Sequence, residues 1–256
     1  MNEDLFDKMP IKRAVATLAI PTMLGMLVNI FYNMADTFFV GQTGDANQVA
    51  AVSLTTPIFL LLMAVGNIFG IGGSSVISRK LGEKDREAVK HVSSFCFYLS
   101  IVAGIIMMFF FIYGMPNILH LIGASANTYD YAAEYLAIIG YGSIFVIIST
   151  AFGTIIRSEG AAKVSMSGMI LGTVTNIILD PILILTLDMD VAGAAIATII
   201  GYIVTTVYYL AYFAKKQTIL SISPRHWKPT GAIIGNIFAI GIPASLNNVL
   251  MSLSNV

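Results

Sequence analysis

The sequence predicts an all-α polytopic membrane protein, a lobe of six transmembrane helices followed by the start of a seventh. Three observations predict it. Of 256 residues, 57% are hydrophobic and only 11% charged, with a mean hydropathy of +0.82, a composition too apolar for a soluble domain of this length. Apolar runs of about 20 residues, the length that crosses roughly 30 Å of hydrocarbon, recur along the chain. All fourteen Lys and Arg residues fall in alternate connections between those runs.

In chain order, the opening MNEDLFDKMPIKR has no apolar core before the first long run and reads as a short cytosolic helix or tail, not a cleaved signal. The spans then run from Ala14 to Val40, Gln48 to Ser78, Val92 to Gly114, Tyr131 to Ile156, Lys163 to Leu187 and Val191 to Ala214. Lys8, Lys12 and Arg13 precede the first; Arg79, Lys80, Lys84, Arg86 and Lys90 separate the second and third; Arg157 and Lys163 separate the fourth and fifth; Lys215, Lys216, Arg225 and Lys228 follow the sixth. The positive-inside rule then sets the N-terminus in the cytoplasm and the loops near Asp45, His120 and Asp188 outside, in a multi-pass protein of the cell membrane. One missed or invented helix would scatter these charges over both sides.

The fifth span, KVSMSGMILGTVTNIILDPILILTL, is the one that the rest is organised around. As a helix it measures about 37 Å, which sets Asp180 about 10 Å inside its far end. An ionised carboxyl there costs about 2.5 kcal/mol or more unless it is neutralised, paired or facing an aqueous cavity. Asn176 and Asp180 share a helix face, and Pro181 cannot donate to the carbonyl of Ile177, so oxygens collect at membrane depth. On the first span Asn29, Asn33 and Asp36 follow i, i+4, i+7 and form a polar face, with Asp36 about 6 Å below the outer edge. Thr198 on the sixth span lies at a depth like that of Asp180. Pro21, Pro57 and Pro181 each remove a backbone hydrogen bond, which makes bending cheap at those places.

A seventh span begins near Ile237. Leu18 to Met34 can be laid over Ile240 to Val256, with Pro21 over Pro243, Leu24 over Leu246 and Asn33 over Asn255. Six helices return the chain to its starting side, so the copy enters in the same orientation, as a parallel repeat. This divides the chain into a six-helix lobe (1–214), a cytoplasmic linker (215–236) and the first helix of a second lobe (237–256).

At these residues the sequence resembles the multidrug and toxic compound extrusion (MATE) family, most of all its prokaryotic branch. The resemblance rests on AIPTMLGMLVNIFYNMADTFFVGQTG, ISRKLGEKDREAV, and GTIIRSEGAAKVSMSGMILGTVTNIILDPILI followed by GAAIAT. It implies a twelve-helix exporter of two six-helix lobes around a V-shaped cavity, of which this chain corresponds to the N-terminal half, with the C-terminal lobe that transport needs lying beyond Val256. It implies a monomeric transporter when complete, not an enzyme, that exchanges small organic and often cationic substrates for Na+ or H+, with no cofactor other than that ion. The coupling site is carried over onto Asp36, Asn176, Asp180 and Thr198, which are the metal ligands if the ion is sodium. Pro21 is carried over as the proline that bends the first helix.

Other readings compete on particular features. A flippase for a lipid-linked precursor calls for a strongly cationic central cavity, yet no Lys or Arg lies within a span. An enzyme or channel needs a reactive constellation or a filter motif, and neither is visible. Asn176 with Asp180 also reads as interhelical glue, though glue rarely needs an acid. Cys96 stands alone, which leaves no disulfide framework. His91, His120 and His226 read as scattered positions without metal-ligand spacing, and no nucleic-acid patch stands out. Among the thirteen methionines, Met23, Met26, Met34 and Met169 read as packing or a pliable cavity wall. Arg79 to Lys90 reads as a topogenic basic loop in which Lys84 and Glu87 pair weakly.

Overall fold

The computed structural model describes residues 38–215, 218–228 and 230–254, with backbone alone at 232, 248 and 251–254, and positions 15, 19–20, 23–25 and 27–28 of the first span. Within these residues the chain forms α1 (Ala46–Gly82), α2 (Arg86–Leu121), α3 (Tyr129–Ser158), α4 (Ala162–Pro181), α5 (Asp190–Ala214) and α6 (Gly231–Ser254). A π-helical segment, Ile182–Thr186, extends α4, and a 3₁₀ turn, Pro224–His226, interrupts the connection to α6. Helices α1, α2, α3, α5 and the combined Ala162–Thr186 segment are each long and apolar enough to cross a membrane.

The second to sixth spans therefore fold as helices, and α1 to α4 reach beyond the apolar runs at one end or both. Helices α1 and α2, with 37 and 36 residues, measure about 55 Å at 1.5 Å per residue. They extend past the hydrocarbon into the basic loop, leaving only Glu83, Lys84 and Asp85 as a turn. Asp85 caps α2 by accepting from the backbone N–H of Ala88, and Lys84 turns the chain with a φ of +60°. Glu87 lies 3.7 Å from Lys90 and 3.8 Å from His91, so its partners are these and not Lys84. Both are neighbours on one helix, whereas Lys84 sits in the turn before it. Pro57 leaves α1 unbroken, and hydroxyls of Ser53, Thr55 and Thr56 bond carbonyls of the preceding turn.

Helix α3 is the centre of the bundle. Two-thirds (67%) of its apolar stretch is buried by other helices, against 28% for α1 and for α2, and it packs on α1, α2, α4 and α5. Helix α2 instead turns Val102, Ile106, Phe109, Phe110 and Tyr113 outward, as a helix solvated by acyl chains requires.

Helix α6 starts at Gly231, six residues before the expected Ile237, and the added residues GAIIGN are themselves mostly apolar. It packs against α1 with backbones in contact. A Cβ at Gly72 would meet the carbonyl of Ile237, and one at Gly241 would meet that of Ile68. The Ser245 hydroxyl donates to the carbonyl of Ala64 at 2.6 Å.

The connection between α5 and α6 is bound to the bundle. Ser93 donates to the carbonyl of Ser221 (3.0 Å) and accepts from its N–H (2.9 Å), and Ser94 donates to Ser223 (2.8 Å). Tyr98 donates to Ile222 (3.1 Å), and Trp227 rests on Phe95 and Tyr98 at ring separations of 5.5 and 5.2 Å. Two histidines thought to be scattered meet here: the His91 and His226 rings lie 6.0 Å apart, and His91 Nδ1 is 2.9 Å from the His226 carbonyl. The folding of the linker over α2 brings them together, which sequence spacing cannot show.

Candidate functional site

Glycines bring α4 and α5 together. A Cβ at Gly172 would meet Thr205 Oγ1 and would lie 2.6 Å from the Gly201 carbonyl, while one at Gly201 would lie 2.8 Å from the Gly172 carbonyl. Only residues without side chains let two backbones approach this closely. Thr205 fixes the pair by donating to the carbonyls of Gly168 (3.1 Å) on α4 and Gly201 (3.0 Å) on its own helix. One turn beyond Gly172 on α4 stands Asn176; one turn before Gly201 on α5 stands Thr198.

Those two residues and Asp180 form a buried cluster, with relative exposures of 1% for Asn176, 0% for Asp180 and 2% for Thr198. Asn176 Nδ2 donates to Asp180 Oδ1 at 3.2 Å and to Thr198 Oγ1 at 3.4 Å. Asn176 Oδ1 is buried and has no hydrogen-bond partner among the described residues. The shared face of Asn176 and Asp180 is thus as expected. What the sequence did not show is that α4 changes to a π-helix directly after Pro181, where Leu187 N–H reaches back to the carbonyl of Ile182 at 2.9 Å. The widened turn begins at the residue after the donor-less Pro181, and such bulges recur at functional positions.

Three of the four expected coupling residues therefore come together. The fourth, Asp36, lies outside the described residues, as do Pro21, Asn29 and Asn33. Gly25 of the first span nonetheless sits against α4, where a Cβ would meet the Met169 side chain. A carboxylate, an amide oxygen and a hydroxyl are hard donors that suit a small alkali cation, and the carboxylate alone can take a proton.

A cavity of about 190 Å³ begins at this cluster, lined at one end by Asn176 and Thr198 and at the other by Ser165, Tyr209 and Arg157. From Ser165 to Asn176 along α4 is about 16 Å. Between the ends the lining includes Asn67, Thr150, Thr154 and Thr205. At the basic end Tyr209 donates to the Ser165 carbonyl at 2.8 Å, and Ser165 donates to the Gly153 carbonyl at 2.6 Å. The sequence reading missed this half of the cavity; hydroxyl residues on separate helices, such as Ser165 and Tyr209, leave no local pattern.

Just beyond Arg157, Glu159 is half-buried in the turn before α4 and fastens the linker. It accepts from Tyr212 (2.7 Å), from the Thr218 hydroxyl (2.7 Å to its nearer oxygen) and from the Ile219 N–H (3.2 Å). Burial pushes its carboxyl above the ordinary carboxylate value, and these donors only partly offset that.

The MatE family model matches residues 21–182. The chain is 38% identical over 251 residues to the multidrug export protein MepA of Staphylococcus saprophyticus, and 39% identical to that of Staphylococcus haemolyticus. Each alignment covers 98% of this chain and 56% of the relative, so the chain spans about half the length of the curated relatives it matches. Among solved structures, a MATE protein in complex with MaD3S superposes with a TM-score of 0.92 at 32% identity, covering 98% of this chain and 56% of that one. An outward-facing MATE transporter of the MOP superfamily gives 0.88 at 33% identity, covering 94% and 54%. A MOP superfamily transporter from Pyrococcus furiosus, described as having a binding pocket of reversed polarity, gives 0.90 at 32% identity, covering 98% and 55%. With its buried amide–carboxylate–hydroxyl cluster, its membrane-length helices and these matches, the chain belongs to the multidrug and toxic compound extrusion family, as its N-terminal half.

Proposed function

We propose that this chain is the ion-coupling lobe of a secondary active multidrug exporter in the cell membrane, with its basic end in the cytoplasm. Organic compounds leave the cell in exchange for Na+ or H+ bound among Asp36, Asn176, Asp180 and Thr198. The observation that carries this reading is the fully buried Asp180 beside an Asn176 whose carbonyl oxygen has no partner among the described residues. The Asn176 amide nitrogen is bonded to Asp180 and Thr198, the two side chains that would hold a cation with it. Rotation of the amide would then present its oxygen to that cation. Ion uptake changes the charge of the cluster and favours whichever helix arrangement binds the ion more tightly, because only a difference in affinity shifts a conformational equilibrium. A first helix bent at Pro21 is the element this reading assigns to that shift.

The test is efflux by the full-length protein in proteoliposomes under sodium and proton gradients imposed separately. Asp180→Asn should abolish the dependence on whichever gradient drives the wild type. Undiminished coupled transport by Asp180→Asn would remove this residue from the mechanism.

A further inference from the structure

The cavity leading away from the ion cluster has its own polarity. Arg157 is the one charged residue among those that line it, and it stands at the end opposite Asn176 and Thr198. It lies in the last turn of α3, half-buried. Among the described residues its guanidinium makes no ion pair and no side-chain hydrogen bond. Glu159, two positions away, is engaged by Tyr212, Thr218 and Ile219. An arginine fork set at the edge of a half-open cavity, its five N–H donors without an acceptor among the described residues, is built to receive an oxyanion. The remaining lining consists of hydroxyls, amides and apolar groups, which solvate a ligand without opposing that charge.

We propose that Arg157 is a specificity-determining residue: it receives the carboxylate of an amphoteric organic substrate that lies along the cavity with its cationic end toward Asn176 and Thr198. The inference rests on the exporter reading above and adds to it a preference for substrates that carry an acid as well as an amine. A wholly cationic compound meets repulsion at the Arg157 end. One with its two charges at opposite ends of an elongated aromatic frame fits a cavity about 16 Å long. The same fork is chemically suited to the phosphate of an anionic lipid, so the experiment separates the two sources.

Full-length protein is reconstituted in vesicles of phosphatidylcholine, with and without phosphatidylglycerol. Uptake is measured for an aromatic rod bearing an amine at one end and a carboxylate at the other, aminomethyl-biphenyl carboxylate, and for its methyl ester. In Arg157→Gln the ratio of kcat/KM for the acid to that for the ester should fall about tenfold, the ordinary worth of one charge-assisted pair. The change should appear mainly in KM, and Arg157→Lys should restore part of it. An unchanged ratio overturns the proposal, and so does an effect of Arg157→Gln seen only with phosphatidylglycerol, which would assign the fork to lipid. Failure of the wild type to move either compound against its gradient overturns the exporter reading itself, and this inference with it. Transport of the ester with an unaltered ratio overturns this inference alone.

Discussion

Gly172→Ala is the sharpest probe of how the site is built, because it adds one methyl group and no charge. A Cβ at Gly172 would lie 2.6 Å from the Gly201 carbonyl and would also strike Thr205 Oγ1. Thr205 can rotate, at the loss of its bond to Gly168. The Gly201 carbonyl belongs to the helix and cannot. To restore an ordinary contact of 3.4 Å, α4 and α5 must separate by about 0.8 Å. The Asn176 to Thr198 hydrogen bond is already 3.4 Å long, so the same displacement carries it past about 4 Å, beyond any useful geometry. Overpacking of this kind costs about 1–3 kcal/mol, which for a bundle of this size lowers Tm by about 2–4 °C per kcal/mol. The assay is thermal unfolding in detergent beside gradient-driven efflux. Both should fall in Gly172→Ala, whereas Gly44→Asn, at a turn glycine with φ +76° and nothing within 4 Å, should leave both near wild type. A Gly172→Ala protein with unchanged Tm and undiminished coupling would refute the argument that this glycine contact sets the site.

Two further perturbations address the linker and α6. Because burial raises the Glu159 carboxyl above its ordinary value, the folded state prefers that group protonated. Linker docking is therefore firmest below the ordinary Glu value and weakens as pH rises through the raised one. Glu159→Gln should remove that pH dependence. Glu159→Ala should leave the Tyr212, Thr218 and Ile219 donors without their acceptor, at about 1–3 kcal/mol. Trp227 is the single tryptophan and sits on Phe95 and Tyr98, so its emission reports both effects, with a red shift as the linker lifts. In α6, Gly241→Ala should destabilise by about 1–3 kcal/mol through its clash with the Ile68 carbonyl. Gly235→Ala, with nothing within 4 Å, should be neutral or stabilising by up to about 1 kcal/mol. Equal Tm shifts for the two would contradict the packing described.

The sequence revealed whatever is decided by the choice between lipid and water. The second to sixth spans and the cost of burying Asp180 follow from that choice, and so they were legible. The pairing of Asn176 with Asp180 was legible too, being local to one helix. What could not be read is decided between helices. Thr198 reaches Asn176 because Gly172 and Gly201 meet, and two glycines on different spans carry no mark of that meeting. Arg157 read only as a topogenic charge, since nothing on α3 announces a cavity shared with α4 and α5. Glu159 and the His91–His226 contact were hidden for a related reason: hydropathy treats the linker as polar and stops there. Its serines and backbone carbonyls in fact complete hydrogen bonds at the ends of α2 and α3. The π-helical turn after Pro181 lay between these cases. A break was foreseeable from the missing donor, but its resolution as a widened helix depends on the start of α5, whose Gly193 presses on Leu183.

The contact between α6 and α1 bears on which parts of the molecule can travel together. Ser245 is tied to Ala64, and two glycine positions seat backbone against backbone at Ile68 and Gly72. Such a seam has no slack: sliding by a fraction of an ångström drives a carbonyl into a Cα. On the exporter reading proposed above, whatever swings when a cargo is handed across must either carry α6 along as an outrigger of the first lobe, or unfasten that hydroxyl and open the seam along its length.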